Sequence, residues 1–224
     1  MKYQETRDER KARAILILDR LDEHYGELGS TLDFHGDPWI LLVGGILGAQ
    51  ATDERVNLIL PVFAETFPTL EDVAGSTQEE MEDVIRTVGI FRQKAARLRE
   101  SAAMLLEEYG GEVPKREADL LKLPGVGRKV ANLVRSDGFG IPAIVVDTHC
   151  GRITRHFGFT RSKNPTIVER DLEQVLPVES WTHYGHVMVH HGRELCVARN
   201  PKCMQCPVRD LCETGRSRQE IVDV

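Results

Sequence analysis

The sequence predicts an all-α protein, and three observations carry that expectation. Apolar residues recur at helical spacing along most of the 224 residues. Residues that favour helix caps stand ahead of several of those runs. Strand signals are nearly missing, because Ile144-Val145-Val146 is too short to seed a sheet.

The helical runs follow in order. Over residues 8–25, Ala12, Ile15, Leu16, Leu18, Leu21 and Tyr25 are interleaved with charges, and Gly26 and Gly29 end the run. Asp37-Pro38 reads as an N-cap and first helical residue for the apolar run from Trp39 to Gln50. Gly44, Gly45 and Gly48 weaken that run as an isolated helix, so a buried helix with close neighbours is expected. Asp53 is placed to cap a helix over 54–64. Ser76-Thr77-Gln78-Glu79 has the spacing of a capping box for a helix running to Val88, where Gly89 breaks it. Phe91 to Tyr109 is a further amphipathic run stopped by Gly110-Gly111, and Thr166–Leu176 and Ser180–Leu195 supply two more.

A hydrophobic content of 41% and a charged content of 29% are those of an ordinary globular protein, and the length suffices for one sizeable core or two modest domains. No apolar run approaches the roughly 20 residues that span a bilayer. The charged start, Met1 to Glu9, has no signal-peptide core, so the expected location is the cytoplasm. The net charge of −6 argues at first against nucleic acid. Its distribution argues otherwise. Residues 1–114 hold 12 Lys and Arg against 22 Asp and Glu, whereas residues 115–224 hold 17 against 13.

That second half contains Leu123-Pro124-Gly125-Val126-Gly127-Arg128-Lys129 between two helix-like runs. The glycines allow positive φ and uncovered backbone N–H groups, so the turn can hold a phosphate oxygen at the start of the following helix. Lys129 then falls in the first turn of that helix. It can serve as a phosphate contact, or as an amine nucleophile that forms a Schiff base with a sugar carbon. Eighteen residues on, Asp147-Thr148-His149 reads as an N-capped helix start whose carboxylate can also stabilise positive charge.

Cys196, Cys203, Cys206 and Cys212 are separated by six, two and five residues, with Pro201 and Pro207 among them. Four thiols so close in sequence read as a loop around a metal centre, either zinc or iron–sulfur, with disulfides disfavoured in a cytoplasmic chain. Arg193, Arg199 and Lys202 surround the ligands and can reach phosphates. His183, His186 and His190 share helical spacing, but no His-Glu-x-x-His pattern accompanies them, and a helix surface is the expected role. Cys150 is expected to be a small core residue.

Leu-Pro-Gly-Val-Gly-Arg-Lys at 123–129, Val-Asp-Thr-His at 146–149 and the four-cysteine run together resemble the endonuclease III family of DNA glycosylases. The resemblance implies a two-lobed helix-hairpin-helix glycosylase fold. A helical barrel domain carrying the hairpin would span 30–141, and an iron–sulfur domain would join 1–29 to 142–224. It implies a 4Fe–4S cluster on Cys196, Cys203, Cys206 and Cys212, with Lys129 and Asp147 as the catalytic pair. Gly125, Val126, Gly127 and Arg128 would grip the DNA backbone. Ile90 would be an apolar wedge, Gln50 would fill the space of the extruded nucleotide, and His149 would face the pocket.

The implied function is a bifunctional glycosylase and abasic-site lyase that removes oxidised pyrimidines from duplex DNA. The chain would act as a monomer at the nucleoid, with no membrane partner. A monofunctional mismatch glycosylase is the alternative, as is a weakly active paralogue acting mainly as a DNA-binding protein; Lys129 together with Asp147 favours the first reading. The chain departs from the family at Gly48, where serine is usual, at Val130, where threonine is usual, and over Arg135–Gly138, where a more apolar segment is usual.

Overall fold

The computed structural model describes residues 5–219. Helices dominate, and no strand occurs among the described residues. The chain divides into two compact units, one formed by Met1–Gly29 with Pro142–Val224 and the other by Ser30–Ile141.

Helix α1 (Arg7–Tyr25) starts at Thr6, whose hydroxyl accepts from Glu9 N–H while the Glu9 carboxylate accepts from Thr6 N–H. Such a reciprocal cap contributes about 1 kcal/mol. Ala14, Ile17, Leu18 and Leu21 are its buried face.

The unit Ser30–Ile141 begins with α2 (Pro38–Leu47), capped by Asp37 with Pro38 at the first helical position. Its glycines admit close neighbours: a Cβ on Gly45 would lie 2.7 Å from Val130 Cγ1, and one on Gly44 would lie 3.1 Å from Leu32. Helix α3 (Asp53–Thr66) is capped by Thr52 rather than by Asp53. The Asp53 carboxylate instead accepts from the Thr31 hydroxyl at 2.6 Å.

After α4 (Leu70–Gly75), the capping box of α5 (Gln78–Ile85) is Thr77 with Glu80, one residue later than the spacing at Ser76 suggests. Ser76 is occupied by the preceding helix, because its hydroxyl donates to the Val73 carbonyl at 2.7 Å. The helix also stops at Ile85, short of Val88. Helix α6 (Phe91–Tyr109) has the expected bounds and ends at Gly110 in a left-handed conformation. Two short helices, α7 (Glu117–Leu120) and α8 (Arg128–Leu133), close the unit, and α8 runs on as a π-helical turn over Val134–Gly138. Leu41, Leu42, Phe63, Met81, Leu98 and Val134 belong to one continuous core here. Each such fully buried side chain contributes roughly 1.5–3 kcal/mol relative to exposure.

The other unit continues with α9 (Thr148–Phe157), α10 (Pro165–Glu173), α11 (Trp181–Glu194) and α12 (Glu213–Gln219). Its core brings Ile17 and Leu21 of α1 together with Ile153, Phe157, Tyr184 and Val208. Arg13 binds the two ends of the chain to each other. Its guanidinium pairs with Glu5 at 2.6 Å and donates to the carbonyls of Phe157 and Leu211, at 2.8 and 3.0 Å. Cys150 is fully buried in this core.

Candidate active site and cofactor cavity

In the unit Ser30–Ile141 the hairpin turn is built against α6. The Ser101 hydroxyl donates to the Pro124 carbonyl at 2.7 Å, and Gly125, at φ +83°, leaves no room for a side chain beside Arg97. Only glycine takes that conformation beside such a neighbour without strain. Val126 is buried and its N–H donates to the Leu123 carbonyl, so the turn presents Gly125 and Gly127 as its exposed residues. Gly127 is the N-cap of α8 and brings no side-chain cap of its own. No side chain of the N-cap residue therefore covers the positive end of the helix. Arg128 and Lys129 follow directly, both exposed. Arg128 pairs with Glu117 at 3.2 Å, and Arg135 reaches the same carboxylate at 3.7 Å.

Gln50 and Ile90 are brought together. Both are exposed, and both hold left-handed backbones, at φ 57° and 52°. A β-branched residue in that region is a real outlier, and each such residue costs about 1–3 kcal/mol. The two turns are neighbours, since a Cβ on Gly89 would stand 3.3 Å from the Gln50 carbonyl oxygen. Two strained, exposed residues side by side mark a surface where geometry is held at a cost in stability.

In the unit that contains α9, Asp147 is the N-cap: its carboxylate accepts from Cys150 N–H at 2.7 Å. The side chain of Asp147 is half-buried, as is His149 two residues on. The imidazole of His149 packs on Gly192, where any Cβ would collide with the ring. Burial lowers the His149 pKa below its usual value, Arg152 and Arg193 push the same way, and Asp147 opposes them. Arg152 also donates to the carbonyls of Gly192 and Cys196, at 3.3 and 2.7 Å, so it ties α9 to the start of the cysteine loop.

All four predicted cysteine ligands line one cavity, together with Phe157 and His191. Burial pushes the Cys196 thiol up to about 12 and the Cys206 thiol to about 11, so thiolates there call for a cationic partner. The four free thiols stand around a shared space, an arrangement that fits an iron–sulfur cluster held by four thiolates. Gly215 N–H donates to Cys212 Sγ at 3.4 Å, the kind of contact that stabilises sulfur ligands. Arg193 is exposed in the last turn of α11, and Arg199 and Lys202 are exposed within the loop.

Of the three helix-spaced histidines, His183 contacts Asp22 of α1 at 2.7 Å. Two residues with structural consequences escape a reading of the sequence. Arg152 looks like one more surface charge on α9, yet the two carbonyls it donates to lie forty or more positions away. Lys94 looks solvated among Arg92, Arg97 and Arg99, yet it is 3% exposed. Its position four before Leu98, on the stripe that continues through Ser101, Ala102 and Leu105, is the signal that could have revealed it.

Comparison with known proteins agrees with this geometry. Residues 43–178 match the model of the HhH-GPD superfamily base excision DNA repair proteins, and residues 196–212 match the iron–sulfur binding domain of endonuclease III. Endonuclease III of Synechocystis sp. is 39% identical over 209 residues, covering 93% of this chain and 95% of the relative. Endonuclease III of Bacillus subtilis is 39% identical over 204 residues, covering 91% and 93%. Among solved structures, a trapped endonuclease III–DNA covalent intermediate superposes with a TM-score of 0.88 at 38% identity, covering 93% of this chain and 98% of that one.

Proposed function

The chain belongs to the endonuclease III family within the HhH-GPD superfamily of base excision DNA repair proteins, and from that membership we propose how its own residues divide the work of a DNA glycosylase and abasic-site lyase. The observation that carries the proposal is Lys129, exposed on the second residue of a helix that leaves an exposed, glycine-rich turn. The turn receives a phosphate on the Gly125 and Gly127 backbone, with Arg128 beside it, and Ile90 and Gln50 enter the duplex at the extruded nucleotide.

The amine of Lys129 attacks C1′ of that nucleotide as the C1′–N bond breaks, and the base departs with the bonding electrons and takes up a proton. Asp147 stabilises the positive charge that develops on the sugar. With the ring opened, the adduct is an iminium ion. Loss of a C2′ proton then expels the 3′-phosphate oxygen, which cuts the strand by β-elimination, and water frees the lysine from the unsaturated sugar product. His149 lines the pocket for the base. Oxidised pyrimidines are the substrates this reading assigns, acted on by a monomer in duplex DNA. Arg193, Arg199 and Lys202 contact phosphates from the cluster loop.

Cys196, Cys203, Cys206 and Cys212 would hold the 4Fe–4S cluster, whose Fe–thiolate bonds would supply a covalent tie across this loop. A monofunctional mismatch glycosylase is not favoured, because the hairpin carries an amine at position 129.

Borohydride reduction tests the reading. The protein should form a covalent adduct with duplex DNA containing an abasic site, and Lys129→Ala should abolish the adduct while still binding that DNA. A wild-type protein that gives no adduct overturns the lyase assignment.

A further inference from the structure

Lys94 is a buried ionisable side chain to which the roles above give no task. Lys94 lies in the first turn of α6, and its Nζ donates to the Leu47 carbonyl at 2.8 Å, across 47 residues of sequence. Leu47 ends α2, so the ammonium group meets the negative end of that helix, where carbonyls lack helical partners. Both ends of this bridge lie beside the strained pair. Gln50 follows Leu47 by three residues, and the Lys94 N–H donates to the Ile90 carbonyl at 3.3 Å.

We infer that Lys94 is a positioning residue for nucleotide extrusion, its side chain fixing the spacing between the Gln50 loop and the Ile90 turn so that filler and wedge enter the duplex in register. The inference rests on the roles proposed for Gln50 and Ile90. Closing the end of α2 favours a lysine here, but that gain is small beside the cost of burying its charge. Its neighbours on α6 include Ala95 and Leu98, and a buried ammonium with one acceptor is costly where an apolar chain of similar length fills the space without that cost. What the ammonium adds is a directional bond between two loops that must act together, and a misplacement near 1 Å can cost about 100-fold in rate.

The test compares Lys94→Met with Gln50→Ala and Ile90→Ala in the cluster-loaded protein. Three quantities are measured: excision from a lesion-containing duplex, borohydride trapping on a single-stranded abasic oligonucleotide, and 2-aminopurine fluorescence opposite the lesion. The single strand needs no extrusion. Lys94→Met is expected to trap it within about 2-fold of wild type, while duplex excision falls about 10–100-fold and the fluorescence response is lost. Equal losses on both substrates, or no loss on either, overturn the inference. Should Lys94→Met fail to fold, Lys94→Gln makes the same comparison. If neither folds, Lys94 is a structural residue and the inference fails. If the Gln50 and Ile90 variants also spare duplex excision, the reading of those two residues is what falls. If they lose it while Lys94→Met keeps it, only the inference about Lys94 falls.

Discussion

The Asp147 carboxylate accepts the Cys150 N–H at 2.7 Å and so caps α9 with the same group to which a share of the chemistry is assigned. The two roles separate by substitution. Asparagine caps a helix about as well as aspartate but carries no charge. Asp147→Asn should therefore keep its melting temperature and lose about 10²–10⁴-fold in base excision. Asp147→Ala should lose the activity and a further ~0.5–2 kcal/mol of stability, read by denaturant titration. An active Asp147→Asn protein would reduce Asp147 to a cap.

Cluster removal should be visible and structural. The purified protein is expected to be brown, with a broad visible absorption, and Cys212→Ser should bleach it and lower its melting temperature. Cys212 and Val208 sit in the core shared with α1, so losing the loop exposes that core. A colourless, zinc-loaded protein prepared without oxygen would contradict the assignment.

Arg199 and Lys202 are exposed cations in the cysteine loop. Each alanine substitution should weaken binding to all duplexes alike and reduce the slope of log K against log salt by about 1. An unchanged slope in both variants would remove the loop from the DNA contact surface.

Lys94 predicts a pH dependence. Burial lowers its pKa below the usual 10.5, so the unfolded chain holds this proton at pH values where the folded chain has released it. Stability therefore rises with pH between the folded pKa and 10.5, and the penalty of the buried charge is fully present below that window. Subtracting the Lys94→Met stability curve from that of wild type isolates the effect. The difference should shrink towards alkaline pH, and a flat difference would contradict the burial of a charged amine.

The sequence is most legible where a signal is local. Asp37-Pro38 and Gly110 set helix bounds that the structure reproduces, because a cap and a stop act within one turn. At Ser76 and Thr77 two boxes one residue apart compete, and the choice falls to the second because the first hydroxyl serves another helix. The short α4 and the π-helical turn after α8 were not legible, since a one- or two-turn element carries little periodicity of its own. In the candidate site, the hairpin and the four cysteines are contiguous motifs and could be read directly. The strained pairing of Gln50 with Ile90, the Lys94 bridge and the Arg152 contacts join distant segments and exist only once the chain has folded.

The Arg13 contacts to Glu5, Phe157 and Leu211 set an order of events during synthesis. A ribosome delivers α1 before Ser30–Ile141 and the partners of α1 after it, so a unit that takes on the order of ten seconds to translate emerges in between. This helix must wait, its apolar face uncovered, until the segments carrying Phe157 and Leu211 have been made. Iron loading follows synthesis of Ser30–Ile141, and a nascent chain halted before Cys196 should bind chaperones through the face of Ile17 and Leu21.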